Sequence, residues 1–153
     1  MPGSTEAMTS AGTTLAISAA LPASITKTAY AALTYTPIGE VTDGGTIGRT
    51  YNIVNHNPLA TRGTVKLKGS YDDGTMAIKM AYAPGNAGQA LVETALDDDA
   101  FYAFELTLQD GTIKYFEAQV SSAPVEVGTV DTITGSTVNL NIKSGTIVTA
   151  LSA

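Results

Sequence analysis

The sequence predicts a mainly β fold: an antiparallel β-sandwich or barrel of about seven or eight strands with one short flanking α-helix over residues 86–96. Three observations carry this. Short runs alternate apolar and polar residues with period two, as half-buried strands do. Asp73-Gly74 and Asp110-Gly111 are strong hairpin signals. Only one segment, after Pro84-Gly85, has helical spacing. At 153 residues, 44% hydrophobic, the chain is long enough to bury a proper core as one domain.

The elements follow in order. Residues 1–12, "MPGSTEAMTSAG", are small and polar and read as a flexible arm, and 13–145 as a single β domain. Thr13–Ala19 is a first strand, and "LAISAAL" within and beyond it lacks the basic residues that precede a secretory h-region. Lys27 to Val41 is irregular, then extended. Residues 42–63, "TDGGTIGRTYNIVNHNPLATRG", form a long Gly- and Asn-rich loop with a short strand near Thr50–Val54. Loops of that length are uncommon and are usually functional or disordered. Thr64–Ser70 alternates Val65, Leu67 and Gly69 against Lys66 and Lys68, the pattern of a half-buried strand, and Met76–Tyr82 follows the Asp73-Gly74 turn as its expected partner.

Asn86 is a good N-cap, and Gln89 stands three residues on, as in a capping box. Leu91, Val92, Ala95 and Leu96 share one helix face and are expected to pack on the sheet. Asp97, Asp98 and Asp99 would oppose the negative helix C-terminus, so the helix stops near Leu96. Tyr102, Phe104, Leu106 and Leu108 then share a strand face, and Thr112–Ser122 returns with Phe116, Ala118 and Val120 aligned. Pro124–Thr134 and Thr137–Lys143 supply two further strands, and residues 146–153 a short apolar tail.

Chemistry finds little support. His56 is the only histidine and no cysteine is present. His56 lies in "NHNP" without a nucleophile elbow, and one histidine with carboxylates is a poor zinc set. Asp97–Asp99 lack EF-hand spacing and read as a solvated acidic turn rather than a calcium site. Neither "DGGTIG" nor "PGNAG" continues into a phosphate loop. The expectation is a protein that is not an enzyme and needs no cofactor or metal. Lys66 and Lys68 are the densest basic pair in a chain of net charge −6, a poor basis for gripping DNA or an anionic membrane. Only 14% of residues are charged, below the usual quarter or so. Such a surface is either covered by other copies or polar without charge.

The ordered combination Ala83-Pro84-Gly85, Gly88-Gln89-Ala90-Leu91, an acidic turn, the aromatic strand Tyr102–Leu108, Asp110-Gly111-Thr112, Phe116 and Val120-Ser121-Ser122, with Gly12-Thr13-Thr14-Leu15 upstream, resembles the tail tube proteins (major tail proteins) of lambda-like siphophages. The resemblance covers about residues 11 to 144. It implies a structural virion protein, made in the host cytoplasm and built into the phage tail, whose hexameric rings stack into a tube that conducts double-stranded DNA at ejection without binding it tightly. Implied partners are other copies of itself, a tape measure protein inside the tube, and tail terminator and baseplate or tip proteins at its ends. The other readings are a type VI secretion tube, a tail terminator, or a surface adhesin-type β-module. Within the tube reading, the long loop, with Ile47, Arg49, Tyr51, Ile53, Val54, His56, Leu59 and Arg62, is expected to join one ring to the next. Glu105, Asp110 and Glu117 are candidate acids facing the lumen or a neighbouring subunit.

Overall fold

A computed structural model describes residues 4–151; the first three residues of the N-terminal arm and the last two of the tail lie outside the described part. Eleven strands and two helices follow in the order β1 (Thr14–Ser18), α1 (Lys27–Ala31), β2 (Thr36–Ile38), β3 (Val41–Asp43), β4 (Thr50–His56), β5 (Val65–Asp72), β6 (Thr75–Ala81), α2 (Ala87–Leu96), β7 (Tyr102–Thr107), β8 (Ile113–Ser122), β9 (Val125–Glu126), β10 (Gly135–Ile142) and β11 (Val148–Ala150). The mainly β, antiparallel fold with a flanking helix is as the sequence predicts.

One sheet carries the fold, in the order β2-β1-β7-β8-β10-β6-β3, with β11 beside β8 and β9 beside β10. It curls into a half-barrel. Its two edge strands, β2 and β3, are consecutive in the chain, so a single segment serves both edges. Ile38 pairs with Leu15 on one side, and Val41 pairs with Met80 on the other. Between them Glu40 takes φ 61°, the one non-glycine among the described residues in the left-handed region, which turns the strand sharply at this corner.

The inside of the curl holds the core. Leu15, Ile17, Phe104, Phe116, Ile78, Val138 and Leu140 are buried there together, each from the apolar phase of its strand. Phe104 and Phe116 face each other across β7–β8 and stack at 5.4 Å. Helix α2 lies against β1, β2 and β8, and Val92 and Ala95 enter the core.

The helix start shows why it sits where it does. Asn86 caps it by accepting from the Gln89 N–H at 3.1 Å. Gln89 does not complete a capping box. Its Oε1 accepts from Ala83 N–H, and its Nε2 donates to Gly39 C=O and Ala81 C=O. Gly39 N–H in turn donates to Asn86 Oδ1. The first turn of α2 therefore stitches the β2–β3 corner to β6. Gly88 permits this approach: a Cβ there would lie 2.1 Å from Pro37 O.

Several expectations change. The helix face is narrower than its spacing implies: Leu91 only partly packs on the core and Leu96 is exposed. A second helix, α1, forms where irregular chain was expected. Thr26 caps it by accepting from Ala29 N–H. Its Tyr30 is fully buried on the outer face of the sheet, stacked on Tyr115 at 5.3 Å and donating to Thr146 C=O at 2.8 Å. Burial pushes the Tyr30 phenol pKa well above its ordinary value. The apolar tail contributes β11, paired with β8. Of Pro124–Thr134 only Val125–Glu126 forms a strand.

Candidate assembly surfaces

The largest departure is in residues 42–72. The expected loop with a half-buried strand beyond it is instead a two-stranded ribbon, β4–β5, paired with nothing else. Met76–Ala81 is not the partner of β5; it pairs with β10 and β3. Every residue of β5 is exposed, Val65 and Leu67 included. Alternation was real there, but no other element covers the apolar phase.

Directly opposed residues in an antiparallel pair share a face, so the register Tyr51↔Tyr71, Ile53↔Lys68, Val54↔Leu67, Asn55↔Lys66, His56↔Val65 sorts the ribbon. One face carries Tyr51, Tyr71, Ile53, Lys68 and Lys66. Lys68 Nζ lies 4.8 Å from the Tyr51 ring centre, and the Arg49 guanidinium 3.9 Å from that of Tyr71. The other face carries Val54, Leu67 and Val65 with His56. At the far end Leu59 is fully exposed, and Arg62 is exposed too.

Charge is distributed unevenly. Arg49, Arg62, Lys66 and Lys68 are four of the chain's eight basic residues, and none of its fourteen acids falls between Gly44 and Tyr71. That segment therefore carries +4 and the rest −10, giving the chain's −6. Strand pairing adds to this linear run by setting Arg49 and Lys68 at the same Tyr51 ring.

The root of the ribbon is fixed. Arg49 Nε donates to Asp73 Oδ1 at 3.0 Å, and the Asp73 side chain is wholly buried. Asp73 Oδ2 accepts from Gly145 N–H at 2.7 Å, and Asp73 N–H donates to Ser144 Oγ. The acid thus ties the ribbon to the turn between β10 and β11. Ile47 does not project with the ribbon; it packs against the core, lining an open groove of about 330 Å³ with Leu15, Val41, Met76 and Leu106 at the mouth of the half-barrel.

The candidate acids lie on the outer face of the sheet and at its turn. Glu117 is buried rather than solvated, with its own N–H donating to Thr146 Oγ1. Glu105 is half-buried, and desolvation raises its pKa above the ordinary carboxylate value. Asp110 accepts from Thr112 N–H, Ser4 N–H and Thr112 Oγ1, and the first two chiefly hold its carboxyl below the usual range. Asp110 therefore fastens the N-terminal segment to the β7–β8 turn. Glu105 and Glu117 are diagonal neighbours on β7 and β8, and Asp110 stands apart from them at the turn.

His56 stands exposed on the ribbon. Asp98 caps its own turn, accepting from Ala100 N–H and the Tyr102 hydroxyl. Among the described residues, no three His, Cys, Asp or Glu side chains gather as a metal site. No helix there is long and apolar enough to cross a membrane.

Comparison with known proteins agrees with this architecture. A solved chain in the anti-feeding prophage baseplate is 10% identical with a TM-score of 0.69, covering 96% of this chain and 97% of that one. A chain from the sheath/tube terminator of an extracellular contractile injection system, also 10% identical, gives 0.64, with 96% and 99% covered. One from the tail of an empty GTA particle is 12% identical at 0.61, with 91% and 96% covered. At these identities the likeness is one of fold. No curated protein matches the chain. The family model for the lambda phage tail tube protein matches residues 33–146, from the turn before β2 through the turn after β10, and the chain therefore belongs to the lambda phage tail tube protein family.

Proposed function

We propose that this protein is the repeating subunit of a phage tail tube: rings of six copies stack into a conduit for double-stranded DNA. The family match over residues 33–146 carries the reading. The half-barrel supports it physically, because joining curled sheets between copies covers strand edges that would otherwise pair without control. The acidic balance of the body suits a passage for DNA, which carries about one charge per 1.7 Å of axis. A conduit must let its cargo slide. A tape measure protein would occupy the lumen during assembly, with terminator and baseplate proteins at the ends. The subunits would assemble in the host cytoplasm and remain in the virion. The exposed ribbon, from Arg49 to Arg62 and on through β5, is the segment best built to join one ring to the next.

The test is negative-stain microscopy of the purified protein over a concentration series. Stacked rings with six-fold end views are expected; monomers persisting at high concentration overturn the reading. A terminator role is the second reading, favoured by the fold likeness to a sheath/tube terminator chain. It requires single rings that cap a tube and never extend.

A further inference from the structure

The two ends of the half-barrel differ in chemistry. The ribbon leaves at the end where β10 finishes: Ile142 N–H donates to Gly74 C=O, directly beside Asp73. Strand β10 has eight residues, so its start at Gly135 lies roughly 25 Å away at about 3.3 Å per residue. At that far end residues 125–134 form an exposed rim. Val127, Val130 and Ile133 are 67%, 100% and 80% exposed. Glu126 and Asp131 stand among them, Lys79 of β6 lines the groove beside Glu126 and Ile133, and no Lys or Arg occurs between Tyr115 and Ile142. An aliphatic, basic ribbon thus leaves one end, and an aliphatic, acidic rim marks the other.

Resting on the tube reading above, we infer that the ribbon of one copy docks on the 125–134 rim of a second copy. Val54 and Leu67 cover Val127, Val130 and Ile133, while Lys66 and Lys68 reach Glu126 and Asp131. Lysine stems are long enough to carry their ammonium groups round the edge of a two-stranded ribbon. Charge complementarity selects the occupant, since a +4 segment meets a −10 body. The placement at opposite ends makes the contact head-to-tail. Such heterologous contacts propagate into rings or filaments instead of closing as a two-fold dimer. Duplex DNA would satisfy the lysines but leave the exposed valines and leucines of both surfaces unburied.

Two experiments test the docking. The first is charge exchange. Lys66→Glu with Lys68→Glu is expected to raise the critical concentration for assembly about tenfold, and adding Glu126→Lys with Asp131→Lys to the same chain is expected to restore it. The second uses the absence of cysteine. Leu67→Cys and Val130→Cys proteins, each made separately, are mixed and oxidised; a disulfide dimer is expected in the mixture and not in either protein alone. Normal tubes from the Lys66→Glu/Lys68→Glu chain, rescue by reversal of Asp97–Asp99 instead, or a mixture that yields only Leu67→Cys homodimers would each overturn the docking while leaving the tube reading intact. So would lysine-dependent binding of a duplex oligonucleotide without any change in assembly. If the wild-type protein forms no rings or tubes, the tube reading fails, and the mixed disulfide at high concentration still decides the docking.

Discussion

The β7–β8 hairpin and the β4–β5 ribbon are built alike and end up in opposite environments. Each is an antiparallel pair with a cross-strand aromatic couple at nearly the same separation, 5.4 Å for Phe104–Phe116 and 5.6 Å for Tyr51–Tyr71. The phenylalanines are wholly buried, and Tyr71 is 41% exposed. The hairpin has β1 on one side, β10 and β11 on the other, and α2 over its face. The ribbon has none of these. Strand pairing sets which residues share a face, but burial comes from what lies over that face. In the ribbon the apolar residues are paired across strands and left exposed.

The sharpest way to break this comparison is to truncate one aromatic in each pair. Phe104→Ala is expected to cost about 3–5 kcal/mol in chemical denaturation of the monomer. Tyr71→Ala is expected to cost the monomer much less, about 1 kcal/mol, since its ring is 41% exposed and rests on Tyr51 and Arg49 rather than in the core. Comparable losses for the two would mean that the ribbon is part of the core.

Cutting the tie between the regions should have an intermediate effect. Asp73→Ala removes the buried acceptor shared by Arg49 and Gly145 and is expected to cost about 1–3 kcal/mol. Hydrogen exchange should quicken in β4, β5 and the 143–146 turn while the β7 and β8 amides stay slow. Uniform loss of protection would show that Asp73 supports the whole fold.

Asp110 offers a gentler probe at the tip of the hairpin. Its folded pKa is lowered by hydrogen bonds, so its contribution is present above the ordinary carboxylate range near 4 and is lost as pH falls through the lower folded value. Exchange at the Ser4 amide should accelerate over that acid range, and Asp110→Ala should make it fast at neutral pH. An Ser4 amide indifferent to both changes would show that this link does not hold the N-terminal segment. The smallest effect belongs to Val54→Ser with Leu67→Ser, expected to stay within about 0.5 kcal/mol for the monomer while weakening assembly. Unchanged assembly would separate the aliphatic face from any contact role.

What could be read from sequence divides along the same line. The strands β1, β7, β8 and β10 and the helix α2 were legible because alternation or helical spacing coincided with burial. Turn chemistry at Asp73-Gly74 was visible, but it turns the ribbon into β6 without pairing β5 to β6; tertiary partners decided that. Helix α1 is a single five-residue element with no second turn to create a periodic signal, and only Thr26 marked its start. The acid-free basic run in 44–71 was there to be read, but not that pairing brings Arg49 and Lys68, nineteen positions apart, to one tyrosine ring. Glu117 lies in a polar strand phase, which gives no sign of its burial; the turn at Thr146 lies against it.

The corner at Gly39-Glu40 has a consequence for the order in which the chain folds. Residues 36–43 need both edges of the curled sheet before they can settle. One of those edges is β1, which must first find β7 across the span from Thr14 to Thr107. Pairings between residues so distant form slowly, because loop closure is costly before any contact rewards it. The seam therefore closes late, and until it does β1 and β6 both offer bare backbone to any chain nearby. In pulse-labelled refolding the amides of β2 and β3 should gain protection after those of β7 and β8; earlier protection would refute this order. A chain refolding at high concentration thus passes through a moment when its bare strand edges could pair with those of another copy, and the Asn86–Gln89 stitch brings that moment to an end.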